Sequence, residues 1–218
     1  MTPFAYPKAR HRRKLSPGPY QQYKTYKPHL QQEFSRQCVY CRLPDGMKGY
    51  DAFGTDHYRP QTLFPDLECE YSNLFYACNA CNSRKGDFWP TVAQQRAREF
   101  VPNPCDHAMF DHLRYRGEYV EAHSSAGRVT ISVLQLNDDE SRSYRRFIDG
   151  MIDIASEKLA VLRRTLDLID KKLADVRTTD RSKLDAARVD QLAAIAEVEE
   201  YLARLTGAVL PTMSTAQP

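Results

Sequence analysis

The sequence contains no run of about 18 or more consecutive apolar residues, the length that a membrane-spanning helix requires. Its first residues are basic and rich in proline, and they lack the apolar segment of a secretory signal. Internal repeats and low-complexity tracts are also missing. These absences predict a cytoplasmic protein, and the 42% hydrophobic and 27% charged content is ordinary for a globular chain.

The net charge of +3 is unevenly distributed. Residues 1–60 contain 11 Lys and Arg against 4 Asp and Glu, whereas residues 61–218 contain 20 against 24. The excess at the amino-terminal end favours a polyanionic partner such as nucleic acid. Taken alone, however, a solvated basic tail explains this charge better.

Residues 1–30 form a predicted N-terminal arm that is basic and rich in Tyr and Pro. Tyr20, Tyr23 and Tyr26 alternate with Lys24 and Lys27 in the second half of the arm. This alternation suits contact with a nucleic-acid backbone and stacking on bases. A flexible arm without that role explains the composition equally well.

The cysteine pattern indicates a metal site rather than disulfides. A chain of this size without an export signal is not expected to build a disulfide framework. Four of the six cysteines fall in two C-x-x-C pairs with 36 residues between them, and four thiolates suit tetrahedral zinc. The alternative, a redox pair, is disfavoured because neither pair sits in a thioredoxin-like strand-to-helix unit. The predicted structural zinc ligands are Cys38, Cys41, Cys78 and Cys81. Cys69 and Cys105 are predicted to be small buried side chains.

A set of polar residues lies between and just after the cysteine pairs. Asp56-His57 is followed by a proline three positions on, then come Asn73-Leu74, and Asn82 and Lys85 follow the last cysteine. The order C-x-x-C, D-H-x-x-P, N-L, C-x-x-C-N-x-x-K resembles the zinc-stapled branch of the HNH endonuclease family over residues 38–89. Looser similarity extends on both sides of this segment.

The resemblance implies a small core of two strands and one helix around a divalent cation. Asp56 matches the first metal ligand of the family, and His57 matches the general base that activates water. Asn73 matches the residue that orients this base through a loop. Asn82 matches the second metal ligand, on the helix. Because an amide oxygen is a harder ligand than imidazole, the site should favour Mg²⁺ or Mn²⁺.

The residue types themselves fit phosphodiester hydrolysis. A neutral histidine can accept a proton from water near pH 7, and a carboxylate-held cation can stabilise the developing charge. Arg59, Arg84 and Lys85 lie close in sequence to these groups and are candidates for binding backbone phosphates. Residues 103–107, which include His107, could hold a second metal or form a turn that packs on the core. We favour the turn.

Two further patterns predict secondary structure beyond the motif. In Tyr115–Leu136, the apolar residues Tyr119, Val120, Val129, Ile131 and Val133 alternate as in a β-hairpin, with the turn at residues 124–127. Asn137 and Glu140 resemble a capping box, which predicts that a helix begins there.

The pattern of residues 137–209 predicts a helical hairpin. Pro211 and the polar residues after it predict that residues 210–218 form a disordered tail. The first helix carries an apolar seam with alternating steps of four and three, as in a coiled coil. A polar break at 177–183 separates it from a second helix. The seam can pack within the chain, or it can bind a partner protein or a second copy, and the sequence does not choose between these. Its residues are Ile148, Ile152, Ala155, Leu159, Leu162, Leu166, Ile169, Leu173 and Val176.

Together, these patterns predict an α+β protein with an HNH nuclease domain over 31–136, followed by a helical hairpin or coiled coil. The predicted activity is metal-dependent endonucleolytic cleavage, of DNA more than RNA. HNH proteins of this length with added helices resemble effector nucleases of bacterial anti-phage defence, which suggests control by a partner. The alternative functions are a non-catalytic nucleic-acid-binding zinc module and a scaffold that docks partners.

Overall fold

The computed structural model describes residues 2–46, 48–175 and 178–208 of the chain. Six α-helices and four β-strands occur there, joined by short 3-10 turns. In this part of the chain, no helix is both long and apolar enough to cross a membrane. In chain order the elements are α1 (Lys27–Glu33), β1 (Phe53–His57), β2 (Leu74–Cys78), α2 (Asn79–Lys85), α3 (Val92–Arg96), β3 (Leu113–Arg116), β4 (Tyr119–Ala122), α4 (Ser125–Val133), α5 (Asp139–Asp175) and α6 (Thr178–Thr206).

The centre of the molecule is a ββα unit. Strands β1 and β2 pair antiparallel, with Asp56 opposite Phe75 and His57 opposite Leu74. Every residue of β2 is buried, which fits its uninterrupted sequence LFYAC. Helix α2 follows β2 directly, and the Cys78 side chain caps it by accepting a hydrogen bond from the Cys81 backbone. The predicted α+β class with a ββα core is confirmed.

Aromatic side chains form much of the core around this unit. Phe53 stacks on Tyr76 across the sheet with ring centroids 5.0 Å apart, and Phe75 packs against Phe34. Since large aromatic rings bury much apolar area, a small sheet can still be held firmly in place.

The N-terminal segment packs on the core although it has no regular structure up to residue 22. Phe4 and Tyr6 are buried, and the Tyr6 hydroxyl donates a hydrogen bond to the Tyr40 carbonyl at 2.8 Å. The predicted boundary at residue 30 stays a prediction, but α1 begins at Lys27, within the predicted arm.

The predicted hairpin at residues 115–136 is corrected in its second half. The hairpin consists of β3 and β4, with Leu113 opposite Ala122. Residues 125–133 form helix α4 instead of a strand, because the Ser124 side chain accepts a hydrogen bond from the Gly127 backbone and caps the helix. The alternating Val129, Ile131 and Val133 lie in this helix and are each half-buried.

Helices α5 and α6 form the predicted hairpin, and the apolar seam of α5 packs against α6 of the same chain. Ile148, Ile152 and Ala155 are buried, and the later seam residues up to position 173 are half-buried. Val176 lies outside the described residues, as do position 209 and the predicted tail. Between the helices, ion pairs join Arg163 to Glu199 and Arg188 to Asp170, both 2.7 Å long.

Two details at the helix ends differ from the predictions. The α5 cap is Asp138, whose carboxylate accepts a hydrogen bond from the Ser141 backbone at 2.5 Å. The Asn137 side chain instead pairs with both backbone groups of Val120, so it ties β4 to the start of α5. The polar break at 177–183 is also shorter than predicted, because α6 already begins at Thr178.

The helical hairpin is attached to the rest of the protein at two places. The buried Arg145 donates hydrogen bonds to the carbonyls of Glu118 and Leu136 at 2.7 and 2.6 Å. At the end of α6, the Gln37 amide donates a hydrogen bond to the Thr206 carbonyl at 3.0 Å. The hairpin is therefore attached at both the start of α5 and the end of α6.

Candidate functional site: a four-cysteine staple and a strand-end histidine

The four predicted zinc ligands meet at one point. The sulfur atoms of Cys38, Cys41, Cys78 and Cys81 all lie within 4.8 Å of one another, and three of these side chains are buried. One pair sits on the tight turn before β1, and the other spans the junction of β2 and α2. This clustering of four sulfur donors matches the tetrahedral ligand set that structural zinc prefers.

The side chains of the cluster shift the pKa values of Cys41, Cys78 and Cys81 in opposite directions, and a bound cation would relieve this conflict. Hydrogen bonds from the other three thiols hold the pKa of Cys78 well below its ordinary value. The same contacts raise the pKa values of Cys41 and Cys81, since further negative charge beside Cys78 is unfavourable. A bound Zn²⁺ removes this conflict by accepting all four sulfurs as ligands. The donor set therefore fits a structural zinc ion.

His57 ends strand β1, and its ring is held by a backbone carbonyl. Its Nε2 lies 2.9 Å from the Glu68 carbonyl oxygen. Because a carbonyl only accepts hydrogen bonds, Nε2 must carry the proton in this contact, which leaves the Nδ1 lone pair free. The Tyr23 ring packs nearly perpendicular to the imidazole, with ring centroids 4.7 Å apart. A neutral ring in this tautomer can accept a proton at Nδ1.

Asn73 ties down the loop that holds His57. Its side-chain oxygen accepts a hydrogen bond from the Arg59 backbone at 2.9 Å, and its amide donates to the carbonyls of Arg59 and Leu67. Leu67 directly precedes Glu68, whose carbonyl holds the imidazole. The buried Asn73 thus binds the loop whose Glu68 carbonyl contacts His57, and its role in orienting His57 stays a prediction.

Asp56 lies on the other face of β1 from His57, because neighbouring residues in a strand point to opposite sides. Its carboxylate is 2% exposed and has partners on both oxygens. The Tyr40 hydroxyl donates to one oxygen at 2.5 Å, and the Lys85 ammonium lies 3.1 Å from the other. Burial, followed by the negative charge of Asp56, raises the pKa of Tyr40, so this hydroxyl stays a donor.

Asn82 lies on α2, on the side that covers β1. A Cβ atom at Gly54 would come within 3.3 Å of the Asn82 amide nitrogen, so the helix and the strand lie close together here. Lys85 is one helical turn further along the same side. Asp56 and Asn82 therefore share the face between β1 and α2, as expected for a pair of ligands.

In this arrangement, the residues do not form an open site for a catalytic cation. The Lys85 ammonium, itself 1% exposed, neutralises the Asp56 carboxylate and would repel a divalent cation at the same oxygen. It also donates a hydrogen bond to the His57 carbonyl at 2.6 Å. A cation bound by Asp56 and Asn82 stays a prediction, and it requires Lys85 to move away from Asp56.

The Asp56–Lys85 pair leads to a stability prediction. We expect Lys85→Met to destabilise the protein by about 3–5 kcal/mol, because it leaves a buried carboxylate without its cation. Urea unfolding followed by circular dichroism measures this change. The exposed Lys183→Met on α6 is the matched control and should alter stability by less than about 0.5 kcal/mol. A Lys85→Met protein as stable as the control would show that the pair contributes little.

The three candidate phosphate-binding residues differ in their availability. Arg59 is exposed and stands near the rings of Phe64 and Trp89. Arg84 is engaged inside the protein through an ion pair with Asp138 and a hydrogen bond to the Leu134 carbonyl. Lys85 is buried and pairs with Asp56. Of the three candidates, the structure therefore leaves only Arg59 exposed for contact with a phosphate.

Several groups at the site were not predicted from the sequence. The Tyr40 hydroxyl, the Glu68 carbonyl and the Tyr23 ring are not part of the D-H, N-L and C-N-x-x-K motifs, so none of them was assigned to this site. Tyr40 lies inside the first C-x-x-C pair, which was the one available signal. Cys105 is half-buried rather than fully buried, and so is Cys69, whose thiol donates to the Gln21 carbonyl at 3.2 Å. Among the described residues, the four cysteines are the one group of three or more potential metal ligands that lie close together, and His107 is not part of it.

Residues 38–88 match the family described as HNH endonuclease. This segment contains both cysteine pairs, both strands of the ββα unit and helix α2. It is an HNH domain with a four-cysteine cluster, and the predicted resemblance is confirmed.

The chain is also similar to Septu protein PtuB of Bacillus thuringiensis. The two are 23% identical over 151 residues, which make up 68% of this chain and 53% of that protein. The chain thus spans about half the length of the curated relative that it matches. No solved structure matches the chain.

Proposed function

We propose that the protein is an HNH endonuclease that hydrolyses phosphodiester bonds in DNA, with His57 as the general base. The observation that carries this proposal is the contact from His57 Nε2 to the Glu68 carbonyl, which leaves Nδ1 available to take a proton from water. Asn73 supports this function by fixing the loop that supplies the carbonyl. The HNH domain match over 38–88 agrees with it.

Substrate binding in this proposal depends on the exposed basic groups. The exposed Arg59 lies two residues after His57 in the chain. The N-terminal segment adds four exposed basic side chains, those of Lys8, Arg10, Arg12 and Lys14. Cationic side chains of this kind contact phosphates without reading bases. We therefore expect low sequence specificity.

The family resemblance implies Mg²⁺ or Mn²⁺ at Asp56 and Asn82, and we keep this ion as a prediction. Since Lys85 occupies the Asp56 carboxylate, binding of the ion would be linked to a rearrangement of Lys85. The zinc ion proposed at the cysteines has a separate role, which is to hold the turn before β1 against the β2–α2 junction.

We further propose that the nuclease is a defence effector in the cytoplasm under the control of a partner protein. The similarity to Septu protein PtuB supports a role in anti-phage defence. An enzyme with low sequence specificity would damage its own genome unless it were restrained. The apolar seam of α5 cannot bind this partner in the present structure, because α6 covers the seam.

A non-catalytic nucleic-acid-binding module is the second candidate. Two observations favour it: Asp56 and His57 lie on opposite faces of β1, and the Asp56 carboxylate is closed by Lys85 and Tyr40. Such a module would bind nucleic acid through the same basic groups and would leave it intact.

Cleavage assays separate the two candidates. Zinc-loaded protein is incubated with supercoiled plasmid, single-stranded DNA and RNA, each with Mg²⁺, with Mn²⁺ and without added metal. We expect nicking of the plasmid that needs added metal and exceeds RNA cleavage. Binding in a gel-shift assay without cleavage of any substrate would contradict the nuclease proposal and favour the binding module.

A further inference from the structure

Helix α5 carries a second apolar stripe in addition to the seam that packs on α6. Phe147, Ile154, Val161 and Leu168 follow one another at steps of seven residues and therefore line one face of the helix. Each of them is between 53% and 64% exposed. Single exposed apolar residues are normal, but four that share one face over roughly 32 Å of helix indicate an interaction surface.

A groove runs beside the first half of this stripe. Met151 and Ile154 of α5 form one wall, and Tyr201 and Arg204 of α6 form the other. The groove has a volume of ≈ 390 Å³, which is enough to receive an aliphatic side chain. Nothing in the described part of the chain fills it.

We propose that the stripe of Phe147, Ile154, Val161 and Leu168 pairs antiparallel with the same stripe of a second copy of this chain. A two-fold axis would pass between Glu157 and Lys158. This interface is independent of the proposed nuclease activity, because it uses only the outer face of the helical hairpin.

The spacing of the stripe is self-complementary about this axis. Reversing one copy places Ile154 opposite Val161 of the second copy, and Phe147 opposite Leu168 of the second copy. Val161 of the second copy then faces the groove beside Ile154. An isologous contact requires such a match of one surface with itself.

The charges beside the stripe favour the antiparallel arrangement. At the centre of the stripe, Asp153 and Glu157 flank Ile154, whereas Lys158 and Arg164 flank Val161. None of these four side chains forms an ion pair within the chain as far as the structure describes it. Antiparallel pairing sets acidic side chains beside basic ones across the axis, whereas parallel pairing would set like charges together. This complementarity selects a second copy over an unrelated partner.

Sedimentation equilibrium of the full chain tests the interface. We expect a concentration-dependent species of twice the monomer mass of 25.1 kDa. Ile154→Glu should weaken self-association by at least about tenfold, because it places a carboxylate against an apolar surface. Val189→Glu is the matched control, since Val189 is also 64% exposed but lies on α6 outside the stripe. Both variants should keep the wild-type circular dichroism spectrum.

Charge variants test the orientation. Glu157→Lys and Lys158→Glu should each weaken the dimer, because each sets like charges across the two-fold axis. The double variant, with both substitutions, should recover the dimer. A protein that stays monomeric at all concentrations, or that only binds a different protein, would overturn the proposal. So would a dimer that Ile154→Glu leaves unchanged.

Discussion

Replacing His57 by alanine is expected to lower the rate of plasmid cleavage by about 100- to 10,000-fold, the range that a positioned general base contributes. The imidazole is held at Nε2 by the Glu68 carbonyl and contacts the Tyr23 ring. Alanine removes the Nδ1 lone pair that would accept the proton from water. Because His57 is only half-buried at the end of β1, the fold should persist.

The measurement compares initial nicking rates of wild type and His57→Ala at equal zinc content. His123→Ala is the matched control, because His123 is exposed and lies at the turn between β4 and α4. This control should cleave at the wild-type rate. If His57→Ala kept its activity while its zinc content and circular dichroism matched wild type, then His57 would not be the base.

Replacing Cys78 by serine is expected to unfold the ββα unit. Four-cysteine zinc sites contribute an apparent binding free energy of about 10–16 kcal/mol in small domains, whereas the net stability of a domain is only about 5–15 kcal/mol. Cys78 ends β2, belongs to the four-cysteine cluster and caps α2, so its loss removes both a proposed zinc ligand and a helix cap. The short strands β1 and β2 alone cannot replace this contribution.

Zinc content by mass spectrometry, together with thermal unfolding, checks this prediction. Cys78→Ser should bind less than one zinc ion per chain and lose its cooperative transition. Cys69→Ser is the control, because Cys69 lies outside the cluster and serine can still donate to the Gln21 carbonyl. A Cys78→Ser protein with wild-type unfolding would show that the cluster does not stabilise the fold through zinc.

Helix α4 shows where periodicity misleads. Val129, Ile131 and Val133 alternate as in a strand, and β-branched residues favour strands. The segment is helical because Ser124 caps it and β4 already has β3 as its partner. Burial of Ala126 and Thr130 on one side of the helix then outweighs the local preference.

The coiled-coil seam shows a different limit. The alternating steps of four and three correctly predicted the helix, but they could not show what covers the seam. Two residues separate the ends of α5 and α6, so the second helix folds back onto the first. The proximity of α6 along the chain makes intramolecular pairing more favourable than association. The stripe at Phe147, Ile154, Val161 and Leu168 became apparent only when the exposed faces were known.

The sequence by itself determined the features that depend on short spacing. Two residues between cysteines place a pair of thiols on one turn, so the four-sulfur cluster follows from the two pairs. The order of Asp56, His57, Asn73 and Asn82 likewise indicated an HNH core, and the strand-strand-helix order confirmed it.

Only the tertiary structure decided which partner each side chain takes. Lys85 was a candidate for phosphate and instead pairs with Asp56, because α2 crosses β1 closely at Gly54. The Glu68 carbonyl became the partner of His57 because Asn73 bends the loop toward it. Such contacts join residues far apart in the chain, and their energies depend on burial, which local spacing does not specify.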